Sequence, residues 1–399
     1  MSYLKIDNVT KDYGTFLALR GISLNVEEGE FVSLLGPSGC GKTSLLRSIA
    51  GLEDIQGGTI SVGDRMFSKK GYTMPPESRH VGLIFQSYAL WPHMTVFKNI
   101  AYGLKLHGWK RADIKRRVTE VLEIVGLEGL DSRLPAQLSG GQMQRVAVAR
   151  SIAATPTLLL FDEPLSNLDA KLRETMRFEL RRIQREVGTT AVYVTHDQSE
   201  AMVISDRIIL MNEGVIVQDG TAQDLYERPE SAFAAKFLGF SNFLPACVDN
   251  VSATDGSAVF RLDLPGGGVL KGAAREGLKR GDLVDLSVRP ESIQVVDRGS
   301  GAETDSGRCA VRLPASVTDM VYAGNVCDVF LDFVGTRIRA QVTPMDFARL
   351  DIGGGVDMVF EPQSVWPVPR ATTGDVVDES EVDAEPSVEP VIKGLTPTA

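Results

Sequence analysis

Gly36-Pro-Ser-Gly-Cys-Gly-Lys-Thr43 is the stretch on which the fold turns. It has the spacing G-x-x-x-x-G-K-[ST], with the apolar run Phe31-Val-Ser-Leu-Leu35 before it and the helical run Thr43-Ser-Leu-Leu-Arg-Ser-Ile-Ala50 after it. Strand, glycine-rich turn and helix in that order make a phosphate cradle. The glycines let backbone N–H groups turn inward around phosphate oxygens, and the helix start adds the positive end of its dipole. Gly36, Pro37, Ser38, Gly39, Cys40 and Gly41 are therefore candidate nucleotide-binding residues. Lys42 is expected to reach the β- and γ-phosphates, and Thr43, with Ser44 beside it, to place a hydroxyl on Mg²⁺. Cys40 reads as a small residue fitting a tight loop, where alkylation would block ATP sterically.

Three more reactive side chains fall at strand ends. Thr157-Leu-Leu-Leu-Phe161 and Ala191-Val-Tyr-Val-Thr195 read as buried strands. Asp162 and Glu163 follow the first, and His196 follows the second. The carboxyl ends of parallel strands open on one crevice, so all three should face the phosphate loop. Asp162 can hold the metal through a water, and Glu163 can orient or deprotonate the attacking water. His196 can touch the γ-phosphate and orient the same water. Phosphoryl transfer needs such positioning more than covalent chemistry. Lys42, Glu163 and His196 form the candidate catalytic set. Between Leu168 and Gly188, apolar Leu172, Met176, Leu180, Ile183 and Val187 trace one face of a helix that Gly188 stops. Short apolar strands alternating with amphipathic helices through residue 240 describe an α/β fold with a largely parallel, helix-covered sheet.

The texture changes after about residue 243, where two-residue alternation takes over. In Cys327-Asp-Val-Phe-Leu-Asp-Phe333, Cys327, Val329, Leu331 and Phe333 share a face. A turn at Gly335-Thr336 and the alternating Arg337-Ile-Arg-Ala-Gln-Val342 complete a hairpin. Residues 243–370 are expected to form a small all-β, barrel-like domain.

Composition bounds the rest. The 399 residues are 43% hydrophobic and 24% charged, ordinary for a soluble globular chain of two or three domains. No apolar run is long enough to cross a membrane. The first residues lack a basic-then-apolar leader, which implies a cytoplasmic location. Cys40, Cys247, Cys309 and Cys327 have no metal-type spacing and read as free thiols. A net charge of −10 argues against nucleic acid as a partner. Residues 371–399 hold seven acidic side chains and one lysine, with no aromatic residue, and read as a disordered acidic tail.

Lys11-Asp-Tyr-Gly14, Gln86 after Val81-Gly-Leu-Ile-Phe85, Leu138-Ser-Gly-Gly-Gln142, Ser166-Asn-Leu-Asp169 and His196, taken in order with the phosphate loop, resemble the nucleotide-binding subunit of an ABC transporter. The resemblance covers residues 1–240. It implies an α/β P-loop NTPase with a helical subdomain over about residues 87–157, and ATP and Mg²⁺ as cofactors. It implies that Tyr13 stacks on adenine and that Gln86 joins Thr43 and Asp162 around Mg²⁺ and reports nucleotide state to a membrane partner. Ser139, Gly140, Gly141 and Gln142 would bind the γ-phosphate of ATP held by a second copy, and Asp169 would couple the two sites. Gln142–Arg150 reads as a helix, which makes Ser139 part of an N-terminal anion site. One chain carries one set, so a head-to-tail homodimer with two ATP follows. Ser87–Met94 would form a groove for a short coupling helix of the membrane subunit.

The β region, through Ser287-Val-Arg-Pro-Glu-Ser-Ile293, resembles the small OB-like (TOBE) domain of type I importer ATPases. Phe97–Leu104 and Phe178–Arg185 lean toward the iron(III)/polyamine branch, with the sugar, glycerol-phosphate and phosphonate importers as alternatives. The implied partners are two membrane-spanning permease subunits and, through them, an extracytoplasmic solute-binding protein, with the chain peripheral on the cytoplasmic face. A soluble ABC ATPase acting on ribosomes or DNA is one rival. The paired cassettes or long coiled coils of that class are not evident here. A non-catalytic regulator is the other, opposed by the intact Lys42, Asp162, Glu163 and His196.

Overall fold

A computed structural model of the chain describes residues 2–239, 242–252, 256–265, 267–298 and 311–370. The acidic tail expected at 371–399 and Cys309 lie outside the described residues. The chain divides into two compact units, Met1–Glu230 and Ser231 onward.

In the first unit, β1 (Ser2–Asp12) and β2 (Leu17–Glu27) are antiparallel. Together with β4 (Gly57–Val62), β5 (Arg65–Lys69) and β6 (Tyr72–Thr73) they form a sheet of order β2-β1-β4-β5-β6. A second sheet comprises β3 (Phe31–Leu35), β7 (Val81–Ile84), β8 (Leu158–Asp162), β9 (Thr190–Thr195), β10 (Arg207–Asn212) and β11 (Val215–Gly220), in the order β11-β10-β3-β9-β8-β7. Only its β10–β11 pair is antiparallel. Strands buried on both faces read as unbroken apolar runs, which is why Phe31–Leu35 was visible in sequence.

The helices of this unit are α1 (Lys42–Ala50), α2 (Val96–Leu106), α3 (Arg111–Ile124), α4 (Gly140–Ala153), α5 (Ala170–Val187), α6 (Gln198–Ile204) and α7 (Ala222–Glu227). Alternate strand residues divide them between two cores. Val32, Leu34, Leu160 and Val194 pack with Leu45, Leu46 and Ile49 of α1. Phe31, Phe161 and Tyr193 point the other way, into a core with α2, α3, α4 and α5. The six-stranded sheet is thus a partition between α1 and α4.

The second unit opens with α8 (Ala232–Phe237). Arg289 donates to the carbonyls of Ala235 and Gly239 at 3.0 and 2.9 Å, binding α8 to this unit. Its strands are β12 (Asn242–Val251), β13 (Ser257–Leu262), β14 (Val269–Ala273), β15 (Leu283–Val288), β16 (Gln294–Asp297), β17 (Val311–Tyr322), β18 (Cys327–Phe333) and β19 (Thr336–Val342). They are followed by α9 (Pro344–Phe347), β20 (Gly355–Phe360) and β21 (Val365–Pro369). The all-β expectation takes the form of two five-stranded antiparallel sheets, β14-β13-β12-β15-β21 and β16-β20-β17-β18-β19, around one core. The side-chain amide of buried Asn242 bonds both backbone groups of Arg339 and the Val288 carbonyl, stitching the sheets together. The β18–β19 turn is Val334-Gly335, one residue earlier than expected, because Thr336 already pairs with Phe333.

Candidate functional site

The phosphate loop leaves β3 at Gly36. A Cβ there would lie 2.1 Å from the Met211 carbonyl, and one at Gly41 (φ 104°) would lie 2.5 Å from that of Ala18, so neither position admits a side chain. Pro37 carries the turn, Ser38 and Gly39 form its exposed tip, and Cys40 folds back inside. Gly41 is the N-cap of α1 and no side chain caps that helix, which suits a start that presents N–H groups to an anion. The buried Lys42 ammonium donates to the carbonyls of Gly36 and Pro37 at 2.7 and 2.8 Å, spanning the loop. Burial pushes the Cys40 thiol up, against the opposing pull of Lys42.

The sheet order sets β3, β9, β8 and β7 side by side and in parallel, so the residues after their carboxyl ends form a row. Thr43, in the first turn of α1, donates to Asp162 at the end of β8 at 3.4 Å. Burial raises the Asp162 pKa, with Arg47 and the Thr43 hydroxyl working against it. Glu163 follows with φ 44°, its N–H on the Val194 carbonyl. Its carboxylate lies 3.2 Å from Nδ1 of His196, which is half exposed at the end of β9. Gln86, exposed beyond β7, has its carbonyl held at 2.9 Å by the Asn167 amide from the loop after Glu163. Tyr13 reaches the same region from β1's end. Its hydroxyl bonds Ser44 at 3.2 Å and Glu53, while its half-exposed ring lies under Lys11.

The structure does not bring the Ser139 segment to this row. Ser139 and Gln142 form a reciprocal capping box at the start of α4. Gly140 and Gly141 sit where a Cβ would press on Leu168 and Leu172 at 3.1 and 3.0 Å. The core residues of α4 and those of α1 pack on opposite faces of the six-stranded sheet. Asp169 caps α5, its carboxylate accepting from the Leu172 N–H at 3.0 Å.

Sequence reasoning missed the layer behind His196. The Tyr193 and Thr195 hydroxyls both donate to Glu200, at 2.7 and 2.8 Å, and Arg173 and Arg177 face Asp197. The available signal was two hydroxyls inside an apolar strand and two arginines one helical turn apart beside the stripe of α5.

The match to the family model "ABC transporter" covers residues 19–166, and that to the "TOBE domain" model residues 286–368. An Fe(3+) ions import ATP-binding protein of Brucella suis is 49% identical over 74% of this chain and 80% of its own length. A spermidine/putrescine import ATP-binding protein of Roseobacter denitrificans is 41% identical over 90% and 93%. An sn-glycerol-3-phosphate import ATP-binding protein of Brucella abortus is 45% identical over 79% and 84%. Among solved structures, cbiO1 of Clostridium perfringens, part of the ABC transporter complex cbiONQ, aligns with a TM-score of 0.53 and 27% identity. That alignment covers 56% of this chain and 91% of the other.

Proposed function

The chain belongs to the ABC transporter family as the ATP-hydrolysing subunit of an importer, and we propose that two copies, joined head to tail, close around two ATP to drive uptake of iron(III) or a polyamine. One observation carries the paired arrangement: α1 and α4 lie on opposite faces of the six-stranded sheet. The helix start at Ser139 is an anion site that its own chain's nucleotide does not reach, so a second copy supplies the phosphate.

Within each site the phosphate loop and Lys42 bind the triphosphate, Tyr13 offers its exposed ring to the adenine, and Asp169 faces the partner copy. Glu163 holds the attacking water and takes its proton as the γ-phosphoryl group passes to the water oxygen, leaving ADP and phosphate. His196, its Nδ1 3.2 Å from the Glu163 carboxylate, keeps that carboxylate aimed, and the far side of its ring is placed to meet the water or a phosphate oxygen. Mg²⁺ fits the donor set: a hydroxyl and a carboxylate 3.4 Å apart, few enough that water and phosphate oxygens complete the shell. Thr43 and Asp162 would hold it, with Gln86 nearby, and its charge would neutralise the phosphates.

Partners of the pair are two permease subunits, a coupling helix of each docking near Ser87–Met94. There Arg150 holds the Tyr88 and Ala89 carbonyls and stacks on Trp91, itself against Tyr102. The permeases in turn engage an extracytoplasmic binding protein. No helix among the described residues is long and apolar enough to cross a membrane; the chain sits peripherally at the cytoplasmic face through its permease partners. Of the three relatives named, the iron(III) one is the most identical and the polyamine one the most fully covered; glycerol phosphate is the alternative.

Glu163→Gln should cut ATP hydrolysis by about 10²-fold or more while ATP now holds a stable dimer in light scattering. A monomeric variant in saturating ATP refutes the closure. Co-purification with membrane partners, then ATPase stimulation by iron(III), polyamines, phosphonates and sugars in turn, decides the solute.

A further inference from the structure

Beside the Glu163–His196 pair lies a group of charges, Arg173, Arg177, Asp197 and Glu200. Arg173, in the first turn of α5, sends Nη2 to the carbonyls of Leu168 (3.0 Å) and Ser166 (3.4 Å), in the loop that follows Glu163. The same guanidinium stands 3.7 Å from the Asp197 carboxylate and 3.8 Å from that of Glu200, in the turn that follows His196. Both neighbours of His196 are pinned by this turn. Thr195 donates its hydroxyl to Glu200 and accepts the Asp197 N–H at 2.9 Å, while Asp197 accepts the Glu200 N–H and pairs with Arg177 at 3.0 Å. Glu200 is almost fully buried and its second donor, Tyr193, lies in the strand core.

We propose that Arg173, with Glu200 behind His196, is a positioning residue that ties the Ser166–Asp169 loop to His196, so that the loop and the imidazole move as one. This rests on the reading of Glu163 and His196 as the hydrolytic pair. The argument is geometric. One rigid, planar cation bridges two loops whose separate motion would break the 3.2 Å contact between Glu163 and His196. Two carboxylates and two guanidiniums balance in charge, so removing Arg173 leaves buried Glu200 and half-buried Asp197 facing one cation. Burial raises the Glu200 pKa, whereas Asp197, despite its burial, is held below its ordinary value by the Glu200 N–H, Ser199 and Arg177. A charged, pre-aimed Asp197 follows.

The test uses the full chain and three variants, Arg173→Met, Arg173→Lys and Glu200→Gln, with steady-state ATP hydrolysis and equilibrium binding of ATP. Arg173→Met should lower kcat about tenfold or more with KM and ATP affinity within about twofold, because a misplaced group costs turnover and not ground-state binding. Arg173→Lys should recover part of the loss. Glu200→Gln, the same shape without the charge and the guard against a misfolded Met variant, should lower kcat at least about threefold at unchanged KM. Normal turnover in Glu200→Gln, or affinity falling with kcat in Arg173→Met and no recovery by lysine, overturns the proposal. Inactive Glu163→Gln beside a fully active Arg173→Met sinks this inference alone. Full activity in Glu163→Gln sinks the hydrolytic reading and this inference with it.

Discussion

Glu163 holds a backbone conformation, φ 44°, that glycine adopts freely and glutamate does not. Strain retained beside a reacting group signals that the side chain matters more than the backbone preference. Glu163→Gly should therefore abolish hydrolysis yet leave the fold as stable or more so, by up to about 1 kcal/mol, read from the urea midpoint. A large loss of stability would show that the conformation is not strained. Arg79 is the opposite case. It is fully buried, and its five hydrogen bonds go to neutral oxygens, two of them the Ser48 and Ile49 carbonyls at the end of α1. Burial lowers its pKa to about 10, so it stays charged at neutral pH, facing the negative end of the phosphate-loop helix. Arg79→Met takes a donor from four backbone carbonyls, of which Ser48 and Phe67 keep a second N–H from Gly51 and Met74, and should cost about 3 kcal/mol, seen as a lower denaturant midpoint. Glu163 and His196 were legible because each ends an apolar run. Arg79 was not, since nothing local distinguishes it from a surface arginine, and its partners come from three separate segments.

At the scale of elements, alternation revealed β18 and β19 because one face of each is core, but it did not fix the turn between them. Val334 and Gly335 both have positive φ, 51° and 81°, the twist a two-residue hairpin turn needs. A β-branched residue suits that conformation poorly. Val334→Asn should stabilise the second unit by about 1 kcal/mol without altering its strands, checked by thermal melting and circular dichroism. An unchanged or lower melting temperature counts against the strain argument. The pairing of β21 with β15 had no local signature either, because a strand of Val, Trp and Pro says nothing about which distant edge it will join.

For the whole molecule, the three cores are decisive. The first unit has two, on either side of its six-stranded sheet, and the second has its own. Chains ending at residue 230 and starting at 231 should each unfold cooperatively, and the first should still bind ATP; failure of either to fold refutes the division. The change in periodicity leads the sequence reading to a boundary at about residues 240–243, whereas the compact units divide at Glu230/Ser231. The proposed composite site rests, at the level of sequence, on family resemblance alone, because no periodicity tells which face of a sheet a helix will cover.

The amide of Asn242 finds two of its three backbone partners, both on Arg339, 97 residues further along the chain. At translation speeds of roughly 5–20 residues per second, that latch waits about 5–20 s after its first half leaves the ribosome. By then residues 1–230 are out and free to condense, so the nucleotide engine is assembled while its companion β unit still lacks the clasp that locks its two sheets.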